Sequence, residues 1–355
     1  MKTRSPDEFL QTIHTLAVKI GRRVRLMEVC GTHTTAIARA GLRSTLPESI
    51  ELVSGPGCPV CVTAQREIER MLLLARRSNV IICTFGDMIR VPGVDSSLEQ
   101  ERSRGADIRV VYSPDDAMHI AEEKTEKEIV FLAVGFETTA PGIAATVLEA
   151  VEKKIKNFSL FVSHKLITPA MEAVLHGGAS IDGFITPGHV SVVLGSNEFT
   201  PLAEKFTIPC VATGFEPSDV LEGIAMLLEA IAEKRCGSFI QYVRAVKPDG
   251  NPRAREILFR VYEITDAEWR GLGIIPQSGL RLKKEFSSLD AIERFSLPQI
   301  PPVELSDCLC GDVLKGNIHP NECPLFGQAC TPRTPVGPCM VSSEGACAAR
   351  YKYGG

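Results

Sequence analysis

The feature that most constrains this chain is its end. From Cys323 to Cys347 it reads CPLFGQACTPRTPVGPCMVSSEGAC, with Cys323, Cys330, Cys339 and Cys347 separated by six, eight and seven residues. Pro324, Pro332, Pro335 and Pro338 lie among them, with Gly327 and Gly337. Neither a helical nor a strand period of apolar residues runs through the stretch, which predicts a wrapped loop. Such a loop has little core of its own, and four thiolates meeting on one inorganic centre would hold it together. Zinc sites usually pair their cysteines in C-x2-4-C knuckles, and this spacing matches neither of the common ferredoxin runs. The wide spacing favours a [4Fe–4S] cluster over zinc, with disulfides or free thiols as the remaining readings.

The rest of the chain limits what that centre can serve. A length of 355 residues predicts two or three domains with ample core. The net charge of −4 argues against a nucleic-acid surface. The N-terminal MKTRSPDEFLQ lacks the apolar stretch of a signal peptide, and no apolar run approaches the length of a membrane span. A cytoplasmic protein is expected. Twelve cysteines in a reducing compartment then point to metal or redox chemistry more than to a disulfide framework.

Residues 5–20 predict a helix. Ser5 suits the N-cap, Pro6 the first helical position, and Glu8 completes a capping box. Apolar runs at 24–29, 50–54, 79–84 and 108–112 then read as buried strands, each followed by a helical stretch. The pattern repeats with strands at 128–134, 157–162, 181–185 and 208–212. MEVCGTHTTAIA at 27–38 also echoes LAVGFETTAPGIA at 132–144. The predicted fold class is α/β: two similar parallel-sheet domains, 21–125 and 126–235, facing a cleft and open to reading as a duplication. The region 236–355 loses the rhythm. It predicts a mostly helical or irregular third domain carrying the cysteine loop, with LGIIPQSG at 272–279 as a turn and the helix of residues 1–20 packed against it.

In open parallel sheets, sites lie beyond the carboxyl ends of the strands. Those loops hold the unusual residues: Cys30-Gly31-Thr32-His33, Gly55-Pro56-Gly57-Cys58-Pro59-Val60-Cys61, Gly135-Phe136-Glu137-Thr138-Thr139, His164 and His189. Cys58 and Cys61, at a strand end and ahead of a helix, suit a redox dithiol or a metal pair; the plainer reading is two packed cysteines in a turn. Cys30 is a soft ligand or a nucleophile, unless it merely packs. His33 suits ligation, proton transfer or helix capping. Glu137 suits a functional carboxylate or a helix cap. Cys308 and Cys310 are alternative cluster ligands, and the four downstream cysteines are preferred.

EVCGTHT, SGPGCPVCVT, VGFETTAP, WRGLGIIPQSGL and the cysteine stretch together resemble the HypD family of hydrogenase maturation proteins, over nearly the whole chain from about Glu28 to Tyr351. The resemblance implies a scaffold, a monomer within a hetero-complex, that assembles the Fe(CN)2CO unit of [NiFe]-hydrogenases with HypC and with HypE as cyanide donor. It implies that Cys30 binds a transient Fe(II) carrying CN and CO, together with a cysteine of HypC. Thr32, His33, Glu137, Thr138 and Thr139 are implied to line that site. Cys58 and Cys61 are implied to form a dithiol/disulfide relay, and Cys323, Cys330, Cys339 and Cys347 to hold a [4Fe–4S] cluster. Two other classes stay open: a free-standing iron–sulfur thiol/disulfide oxidoreductase working through Cys58 and Cys61, and a zinc-stapled interaction module.

Overall fold

The computed structural model describes residues 4–301 and 307–354. The strands in chain order are β1 (Val24–Glu28), β2 (Ile50–Ser54), β3 (Val80–Thr84), β4 (Asp107–Val110), β5 (Glu128–Gly135), β6 (Phe158–His164), β7 (Gly183–Pro187), β8 (Pro209–Thr213), β9 (Gly237–Ile240), β10 (Tyr262–Trp269) and β11 (Gly273–Leu282). All eight strands read from the sequence are present within a few residues. Central strands such as β3, β7 and β8 are buried at every position, which is why they read as unbroken apolar runs.

Their pairing differs from the expected tandem arrangement. One parallel sheet has the order β2-β1-β7-β8-β9, and the other has β4-β3-β5-β6. The second sheet is therefore built from one continuous block inserted between β2 and β7 of the first. The boundary expected at 125/126 falls inside that block, between β4 and β5. The echo between 27–38 and 132–144 pairs β1, the first strand of one sheet, with β5, the third of the other. The physical reason is that parallel strands are joined by crossovers, and alternation of strand and helix does not say which strand a returning chain will pair with.

One core runs between the two sheets, joining Met27, Val53 and Phe184 of the first to Ile82, Val130 and Phe161 of the second. A second core covers the outer face of the inserted sheet, and a third the outer face of the first sheet. Helix α1 (Pro6–Ile20) belongs to this last layer. It starts as predicted: the Ser5 hydroxyl accepts from the Glu8 amide and the Glu8 carboxylate from the Ser5 amide. Gly21 ends it in the left-handed conformation with φ 67°. Phe9, Ile13 and Ala17 pack against Val220, Leu221 and Ile224 of the helix Pro217–Ala232. The expected packing of α1 on a third domain is corrected accordingly.

The third region also divides differently from position 236 onward. Strand β9 completes the first sheet, and β10 with β11 forms a long antiparallel hairpin beside the inserted sheet. Most of 272–279, read as a turn, is strand. Pro276 and Gly279 look like breakers, but a two-stranded ribbon leaves backbone groups unpaired, and its register shifts between Thr265 and Ala267. Beyond the hairpin, residues 307–354 are short helices and loops, as expected for that part.

Truncating Ile13, which is wholly buried, tests the reassigned helix. Ile13→Ala is expected to lower the unfolding free energy by about 2–5 kcal/mol in chemical denaturation. A loss under about 0.5 kcal/mol, the scale of a surface substitution, would place α1 elsewhere.

Candidate functional site

In each sheet the strand order reverses at one point, between β1 and β7 in the first and between β3 and β5 in the second. Ligands in open α/β sheets bind beyond the strand ends at such points. Here the loops after all four strands enclose one cavity of about 480 Å³. Cys30 and Thr32 follow β1, His189 follows β7, Asp87 follows β3, and Thr138 and Thr139 follow β5. Ser342, Ser343 and Glu344 of the C-terminal loop close it.

Cys30 sits where β1 turns into helix α2 (Gly31–Arg39), with extended backbone at φ −149°. Its amide donates to Glu28 Oε2 at 3.3 Å, and the Gly31 amide donates to the Gly57 carbonyl at 2.9 Å. The loop carrying the C-x-x-C is thereby pressed against it, and a Cβ on Gly57 would collide with the backbone of Val29 and Cys30. Burial pushes the Cys30 thiol up to about 12, against the pull of the His33 and Thr32 amides. The thiol form is thereby favoured over the thiolate.

Three further residues shape the site; the sequence places Asp87 in the loop after the third strand but gives no notice of Glu28 or Glu344 as site residues. Glu28 is fully buried beneath Cys30, takes a 2.7 Å bond from the Thr34 hydroxyl, and is pushed up to about 7 by burial. A carboxylate at the end of a mostly apolar strand, two residues before Cys30, was the available signal. Glu344 Oε1 accepts from the Thr32 hydroxyl at 2.6 Å, and Asp87 Oδ2 accepts from the Ser342 hydroxyl at 2.9 Å and the Ser343 amide at 3.1 Å. Both are long-range pairings that only the fold creates.

Of the expected site residues, Cys30, Thr32, Thr138 and Thr139 meet in the cavity, and His33, Glu137, Cys58 and Cys61 do not line it. His33 is fully buried, its Nε2 at 2.9 Å from the Gly214 carbonyl and its ring stacked on Phe215 at 4.7 Å. Burial lowers it to about 4, so it is a neutral tie between α2 and the loop after β8. Glu137 turns the other way from its neighbour Thr138 and lines a second cavity. Its Oε1 accepts from the Ile167 amide at 2.9 Å, at the start of the helix Ile167–His176, and burial pushes it up to about 8.

Cys58 and Cys61 are buried just behind the cavity wall formed by Gly57, Pro59 and Val60, with Sγ atoms 2.7 Å apart. The helix Pro59–Val62 between them has its end held by the hairpin, where the Arg270 amide donates to the Val62 carbonyl at 2.9 Å. On its far side Cys61 lies within hydrogen-bonding reach of Cys339. Burial raises the Cys61 thiol well above its ordinary range.

Cys323, Cys330, Cys339 and Cys347 line one small apolar cavity with Leu325, Phe326 and Met340, and Cys308 and Cys310 join the same ring. Burial and then the surrounding thiols raise Cys347 well above its ordinary range. Among the described residues no three ligand-type side chains close on a single ion-sized point; these thiols ring a space instead. Soft thiol donors in a dry wall fit an iron–sulfur cluster.

The chain matches the HypD family, described as the hydrogenase formation hypA family, over residues 5–354. It is 46% identical to the hydrogenase maturation factor HypD2 of Bradyrhizobium diazoefficiens, over 93% of this chain and 89% of the relative. It is 42% identical to a putative hydrogenase expression/formation protein of Methanocaldococcus jannaschii, over 97% and 96%. It is 41% identical to the HypD of Escherichia coli, over 99% and 96%.

The position of Glu137 has a pH signature. Its carboxyl keeps its proton to about pH 8 in the folded chain, against an ordinary value of 4.5. Between those limits the folded state binds more protons than the unfolded one, so its contribution to stability falls as pH rises. Glu137→Gln keeps an acceptor for the Ile167 amide and is expected to flatten that part of the slope, read from denaturation midpoints across the pH range. An unchanged slope would mean that Glu137 is solvated. Gly57→Ala is expected to displace the Cys30 loop, seen as at least ten-fold faster alkylation of Cys30; an unaltered rate would contradict the close approach.

Proposed function

Since the chain belongs to the HypD family of hydrogenase maturation factors, we propose that it is the scaffold on which the Fe(CN)2CO unit of a [NiFe]-hydrogenase is assembled, together with HypC and with HypE as cyanide donor. The iron is cargo, taken up by the Cys30 thiolate in company with a thiolate from HypC. Thiolates are suited to an iron carrying CN and CO. The cavity holds the cargo between two sheets and away from bulk water, with Thr32, Thr138 and Thr139 along its wall.

The observation that carries this reading is the place of the C-x-x-C. Cys58 and Cys61 stand in the partition between the Cys30 cavity and the thiol ring, with Cys61 facing Cys339. Turning a cyanate-level carbon into cyanide needs electrons. A dithiol in the partition stores two, giving up two protons as it closes to a disulfide. The residues that would hold a [4Fe–4S] cluster are Cys323, Cys330, Cys339 and Cys347, and such a cluster, when bound, supplies electrons singly. Twelve free cysteines suit a reducing, cytoplasmic setting. Among the described residues no helix is long and apolar enough to cross a membrane.

The decisive experiment is an infrared spectrum of the protein purified without oxygen together with HypC, for wild type and Cys30→Ala. CN and CO on iron absorb where proteins are nearly silent. Bands present in the wild type and lost in Cys30→Ala, with the fold retained, are expected. Bands unchanged in the variant remove Cys30 from the iron site, and bands absent from both favour the free-standing oxidoreductase. Iron with matching acid-labile sulfide is expected in the same sample; zinc without sulfide would make the thiol ring a structural staple.

A further inference from the structure

The second cavity, about 580 Å³, lies between the helix Ile167–His176, the helix Pro252–Val261 and the hairpin. Its size is that of a small-molecule site. Leu166, Leu194, Leu258 and Ile275 give it apolar walls. Three carboxylates reach it, and two have a cation nearby. Glu172 is paired with Lys205 and with His176, the latter at 3.3 Å. Glu198 has the charge of Arg255 in its surroundings. Arg255 is itself anchored, donating to the Leu194 carbonyl at 3.0 Å.

Glu137 is the exception. It is 2% exposed, and while Oε1 caps the Ile167 amide, Oε2 is buried without any hydrogen-bond partner. A buried carboxylate oxygen left unpaired is costly and marks a place where a partner belongs. Charge accounting then fixes the kind of partner. Lys205 and Arg255 offset Glu172 and Glu198, so Glu137 alone has no cation to pair with when it ionises. An anion would meet three carboxylates. A divalent metal ion needs several converging oxygens, and among the described residues no three ligand side chains converge on one point. A single positive charge on an apolar stem satisfies both the carboxylate and the walls.

We propose that this cavity is a second binding site of the chain, taking a primary alkylammonium group whose nitrogen donates to Glu137 and whose hydrocarbon stem lies along Leu166, Leu194, Leu258 and Ile275. The same chemistry is carried by a free amine and by a lysine side chain. The site is separate from the Cys30 cavity, although Glu137 and Thr138 are neighbours in the chain and face one cavity each. Binding displaces the proton that Glu137 holds at neutral pH.

The test is isothermal titration calorimetry on the full-length, oxygen-free protein with n-pentylammonium chloride and, as the neutral isostere, 1-pentanol. Saturable one-to-one binding of pentylammonium, about ten-fold or more tighter than pentanol, is expected for the loss of one charge-assisted bond. Glu137→Gln is expected to remove that preference while leaving the weak pentanol binding in place. Heats measured in buffers of different ionisation enthalpy are expected to show about one proton released per pentylammonium at pH 7 and little at pH 9; this readout needs no variant and stands even if Glu137→Gln fails to fold. Equal binding of pentanol, no proton release at pH 7, or no binding at all would each overturn the proposal. N-acetyl-lysine N-methylamide separates the sources: binding like pentylammonium assigns the site to a lysine of a partner protein, and exclusion assigns it to a free amine.

Discussion

The site depends on how the segment Ser342–Glu344 is held. It comes from the loop between Cys339 and Cys347 and is pinned from both sheets at once, by Asp87 after β3 and by Thr32 after β1. Hydrogen bonds to charged groups of this kind each contribute about 1.5–3 kcal/mol. They tie the thiol ring, the C-x-x-C partition and the Cys30 cavity into one arrangement. The same strand ends would otherwise form an open crevice with no third wall.

A second dependence is on dry surroundings. Glu28, Glu137, His33 and His164 are all buried, with the two carboxyls raised to about 7 and about 8 and the two imidazoles lowered to about 4 and about 3. Burial is the first cause for each. The inserted sheet keeps one buried ion pair, Lys165 with Glu67, whose Nζ meets both carboxylate oxygens at 3.0 and 3.1 Å. Such a pair is costly to desolvate and fixes which groups face each other. It joins the end of β6 to the helix that follows the C-x-x-C.

How much of this was legible in the sequence follows from what each signal encodes. Ser5, Pro6 and Glu8 announce α1 because a cap is a local structure. The buried strands announce themselves because both faces are covered. The cysteine loop, the C-x-x-C and Cys30 were legible as chemistry because their spacing and neighbours are unusual. Strand pairing was not, since the return from β6 to β7 beside β1 is a long-range choice. The opposite facing of Glu137 and Thr138 was not legible either, and Cys308 and Cys310, read as alternative cluster ligands, were not legible as joining the downstream four in one ring. Both are set by tertiary packing around residues that look equivalent in one dimension.

The insertion of one sheet within the other has a consequence for how the protein is made. During synthesis the block from β3 to β6 emerges whole, while β1 and β2 wait for β7 to β9 before their sheet can close. The segment that completes the cavity, and the last two of the ringed cysteines, leave the ribosome after everything they will seal. The cavity therefore stays open at Cys30 until residues 342–344 have been made. A chain cut short of Ser342 would leave that wall missing and the thiol ring without Cys347.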